Sequence, residues 1–129
     1  MRSLNVPRRP VVILLCIAVA ALHLFTGPAY SGPARSFVTG YLVDLLLPFS
    51  SVLLLGVDPR VDRLLRSPVI RAFLVFLLGA FVELAQSFGV PLFGRTFDPL
   101  DLVMYAIGVT AAVGFEYLFF APHAHCTGA

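Results

Sequence analysis

The chain has 129 residues, of which 59% are hydrophobic and only 12% charged, with a mean hydropathy of +0.93. That leaves too little polar surface to coat a soluble globule and no room for a large soluble domain beside membrane helices. The formal charge of +2 comes from nine basic residues, all arginine; they are scattered rather than gathered on one stripe, so no nucleic-acid partner is expected.

At roughly 20 residues per crossing, the sequence predicts an all-α fold, a single integral membrane domain (residues 1–129) of about four transmembrane helices. The first apolar run covers residues 11–26 and is stopped by Gly27 and Pro28. A second covers residues 37–57 and contains Pro48, a third covers 69–88 and a fourth 100–120. An alternative treats residues 1–29 as a signal peptide, with Arg8 and Arg9 before the apolar core and small Gly27 and Ala29 at its end. Cleavage would leave three spans.

Arginines set the expected orientation, because positive charge is retained on the cytoplasmic side of short loops. Arg2, Arg8 and Arg9 precede the first run, and Arg60, Arg63, Arg66 and Arg71 crowd the link between the second and third. The other two loops carry one each, Arg35 and Arg95. Both termini are therefore expected in the cytoplasm, with residues 89–99 facing outward. Cys16 lies within an apolar run and Cys126 in the tail, so a disulfide between them is not expected. His123, His125 and Cys126 lack an evident fourth ligand; neither a metal nor a cofactor is predicted.

Polar side chains interrupt the apolar runs at specific spacings. Each ionisable group at bilayer depth costs about 2.5–3.5 kcal/mol on insertion scales, so a retained cluster needs a structural or chemical reason. Gly79, Glu83 and Gln86 share one helical face, as do Asp101, Tyr105, Gly108, Ala112 and Glu116. Glu83, Gln86, Arg95, Asp98, Asp101 and Tyr105 form the candidate site, with Asp44 secondary; they are expected to meet in a polar pocket under the outward loop. The structural alternatives are equally concrete. Asp98, Pro99 and Asp101 have the pattern of a helix start. Arg95 could form an internal ion pair, and Asp44 a hydrogen bond beside the Pro48 kink. Arg71 is expected to snorkel to the cytoplasmic surface, His23 to lie at the interface, and Glu116 to lie among headgroups or pair with a loop arginine. No arrangement for nucleophilic catalysis and no phosphate-cradling glycine loop is present, so catalytic residues are unassigned.

Glu83, Gln86, Arg95, Asp98, Asp101 and Gly108, spread over residues 77–114, give the chain a resemblance to the VanZ-like family of small multi-span bacterial membrane proteins. Tyr105 stands where that family commonly has Asn. The resemblance implies the bacterial cytoplasmic membrane and a link to the cell envelope; the name-giving member is associated with teicoplanin resistance, and no reaction is implied. The resulting expectation is an envelope protein that binds a polar or lipid-linked envelope component. Membrane lipids would be its partners, together with such an intermediate or a membrane protein. An integral membrane enzyme acting on a lipid headgroup and a structural module scaffolding an envelope complex are the alternatives.

Overall fold

The computed structural model describes residues 7–27, 29–92 and 97–120. Among them the order is α1 (Arg8–Phe25), α2 (Arg35–Gly40), α3 (Leu42–Leu55), α4 (Pro59–Leu64), α5 (Pro68–Ser87) and α6 (Pro99–Phe119), with no strand. Helices α1, α5 and α6 have 18, 20 and 21 residues and are apolar enough to cross a membrane. At about 1.5 Å per residue they are roughly 27–32 Å long, the thickness of a hydrocarbon core.

The second expected span departs from a single continuous helix. Its backbone breaks between Gly40 and Leu42, and the apolar remainder, α3, has 14 residues, or roughly 21 Å. Pro48 lies inside α3 and is buried; its missing N–H withdraws the intrahelical partner of the Asp44 carbonyl.

Helix α3 is the hub, packing against α1, α5 and α6. Its closest approach is to α6. A Cβ added to Gly108 would run into the Leu45 carbonyl oxygen and stand 3.0 Å from Pro48 Cγ, so glycine sets the distance between these two helices. Val12, Val52, Leu53, Ala72, Val109 and Ala112 form the small buried core. Large side chains elsewhere point outward, with Leu24 at 83% and Phe25 at 84% exposure. A surface of that kind suits lipid contact, because acyl chains replace water around it.

Helix ends follow local chemistry. Asp58 and Asp98 each precede a proline at the first helical position, and each accepts a backbone N–H two residues on, Arg60 at 2.7 Å and Leu100 at 2.9 Å. Gly89, at φ 82°, closes α5: its N–H donates to the Gln86 carbonyl at 2.9 Å and the Val90 N–H to Ala85 at 3.0 Å, the double bond pattern that a left-handed residue permits.

Candidate functional site

The antiparallel path brings the end of α5 beside the beginnings of α3 and α6, which collects the acidic residues at one end. Glu83, one turn before the end of α5, is 2% exposed. Its Oε1 accepts the Tyr105 hydroxyl at 3.3 Å, while Oε2 is buried with no partner among the described residues. Gly79 makes this contact possible. A Cβ there would stand 2.7 Å from Tyr105 Cδ2, so the ring lies against bare backbone and its hydroxyl reaches the carboxyl one turn further along α5.

Asp44 from α3 and Asp101 from the first turn of α6 lie near each other, with Tyr105 beside Asp44. Glu83 and Asp98 lie near enough to add their fields to both. Asp98 is saturated differently: Oδ1 caps α6, and Oδ2 accepts the Tyr41 hydroxyl at 3.0 Å. That bond ties the α2–α3 break to the start of α6. Gln86 donates to the Leu92 carbonyl at 2.6 Å and folds the loop back on α5.

Two unit charges 4 Å apart repel by about 4 kcal/mol at an effective dielectric near 20. Carboxyls converging in partly dry surroundings therefore call for positive charge, as a proton or as a bound cationic group. Arg95 lies in the connection that leads to this end, at a position outside the described residues. His123, His125 and Cys126 are also outside the described residues. Among the described residues no group of three or more His, Cys, Asp or Glu side chains has a geometry that would hold a metal ion.

A second polar cluster occupies the opposite end. Arg71 Nη1 lies 2.5 Å from Asp62 Oδ1 and Nη2 lies 3.2 Å from Glu116 Oε2; Arg8 reaches the same two acids, at 2.5 Å to Glu116 and 3.4 Å to Asp62. The result is an alternating ring of two cations and two anions. Arg71 is 1% exposed and Glu116 5%, so Arg71 is buried in ion pairs instead of snorkelling to the surface. The C-terminus of α3 adds to this arrangement, since a Cβ on Gly56 would overlap the Arg8 guanidinium. Glycine admits the cation to the negative end of that helix. Sequence spacing identified Glu116 and Arg71 as charges within apolar runs but missed their joint partners, Arg8 from α1 and Asp62 from α4, which are brought in only by folding.

None of the five principal cavities, of 250 to 580 Å³, is lined by Asp44, Glu83, Asp98 or Asp101. These acidic residues gather at one end without bordering any of these five cavities except through Tyr105, which lines one on its apolar side. Four of the five cavities are lined mainly by apolar residues; the fifth adjoins the Arg8–Arg71 ring. Compared with protein-family models, curated proteins and solved structures, the chain matches none.

Proposed function

We propose that this chain is a VanZ-like protein of the bacterial cytoplasmic membrane whose acidic end binds an amine-bearing polar headgroup, that of a phospholipid or of a lipid-linked envelope intermediate. In this reading α2 and α3 together make the fourth crossing, both termini are cytoplasmic, and the acidic end faces outward. The orientation rests on the arginines in residues 57–71 and on Arg2, Arg8 and Arg9 before or within the first turn of α1.

The observation that carries the reading is Glu83: a buried carboxyl with one oxygen unpartnered among the described residues, beside the neighbouring pair Asp44 and Asp101. A primary ammonium brings three donors and one positive charge, which answers both the orphaned oxygen and the surplus of acid. Arg95, in the adjoining loop, would take the phosphate that neighbours such an amine.

The test is lipid selectivity of the purified protein in nanodiscs. Phosphatidylethanolamine should raise the melting temperature relative to phosphatidylcholine, which lacks N–H donors, and Glu83→Gln or Asp101→Asn should abolish the difference while the protein stays folded. Equal melting in both lipids for the unaltered protein would eliminate an amine as the ligand.

A further inference from the structure

The other end of the bundle carries chemistry of opposite sign that the reading above does not use. A cavity of about 520 Å³ is lined there by Arg8, Arg66 and Arg71, by Asp62 and Glu116, and by Ser67 at the start of α5. Three arginines face two carboxylates, and all four ion pairs among these residues involve Arg8 or Arg71. Arg66 is exposed and contributes the excess positive charge.

Three further features point at an anion. Arg71, almost wholly buried and lining the cavity, has an Nε–H without an acceptor among the described residues, as does Arg8. Ser67 is the N-cap of α5, yet its side chain makes no capping hydrogen bond, which leaves the hydroxyl available. Pro68 at the first helical position has no N–H, so the Val69 N–H is the first donor presented at the positive end of a 20-residue helix. Backbone N–H, hydroxyl and guanidinium donors at a helix N-terminus are the set that phosphate oxygens accept from.

We propose that this cavity is a binding site for a phosphate-bearing anion, seated between Ser67, Arg66 and the Arg8–Arg71 ring at the N-terminus of α5. The ring holds the two inner guanidiniums in place; Arg66 and Ser67 supply the contacts that are free to change with occupancy. The same chemistry is offered by the phosphodiester of an anionic lipid and by free phosphate in the adjoining water.

The experiment uses the full chain in phosphatidylcholine nanodiscs, with melting temperature as the readout. One arm adds phosphatidylglycerol to the bilayer; the other adds inorganic phosphate against chloride at equal ionic strength. Each is repeated with Arg66→Gln and with Ser67→Ala, neither of which belongs to the ion-pair ring. Stabilisation by phosphatidylglycerol alone, reduced at least threefold in Arg66→Gln, assigns a lipid headgroup; stabilisation by both additives, reduced likewise, assigns the phosphate group from either source. No stabilisation by either additive, or stabilisation that both variants retain in full, overturns the site.

Discussion

Replacing Gly108 by alanine tests the contact on which the acidic end depends. Asp44 and Asp101 sit on α3 and α6, and the separation of those helices is fixed where Gly108 meets Leu45 and Pro48. The new methyl would strike a backbone carbonyl, which cannot turn aside as a flexible side chain can, so α6 must retreat or tilt. Overpacking of this kind costs about 1–3 kcal/mol, and a backbone obstacle places Gly108→Ala toward the upper end. Gly114, on the same helix, is exposed with nothing within 4 Å of an added Cβ. There the substitution should stabilise by about 0.5–1 kcal/mol, through the lower conformational entropy of alanine in the unfolded chain. The two variants should therefore differ by about 3.5–4 kcal/mol, with opposite signs, in reversible unfolding from mixed micelles. If Gly108→Ala unfolds no more readily than Gly114→Ala, the close α3–α6 approach is wrong, and with it the nearness of Asp44 and Asp101.

Other perturbations read different contacts. Arg71→Met should destabilise by about 1.5–3 kcal/mol, because Glu116 and Asp62 each lose one of two cationic partners and keep Arg8, and adding Glu116→Leu should recover part of that loss in the same unfolding assay. No recovery in the double variant would show that the ring is not an ion-pair unit. Tyr105→Phe removes the side-chain hydrogen bond that Glu83 makes among the described residues and should cost about 1–3 kcal/mol; unfolding as in the unaltered protein would place Glu83 in other company. Asp98→Ala removes both the α6 cap and the acceptor of Tyr41, and amide hydrogen exchange should quicken at Leu100 and in the first turn of α6, with a stability loss of about 1–2 kcal/mol. Unchanged protection at Leu100 would argue against the cap.

The sequence by itself determined that residues 11–26, 69–88 and 100–120 are apolar enough to cross and that Asp98-Pro99 starts α6, because these are properties of hydrophobic run length and of local backbone chemistry, whereas the fourth expected span, 37–57, is divided in the fold. Helical spacing also placed Gly79 with Glu83, and Asp101 with Tyr105, Gly108 and Glu116, since 3.6-residue periodicity is fixed once a helix forms. Which faces meet was decided only by tertiary structure. Arg8 and Asp62 come from separate helices 54 residues apart, and Arg8 and Glu116 from helices 108 residues apart, distances over which no local pattern operates. The break at Gly40–Leu42 and the gathering of the acidic residues at one end are of the same kind. Apolar run length cannot show where a backbone turns, and whether converging carboxyls enclose a cavity or touch depends on how closely glycines let their helices approach.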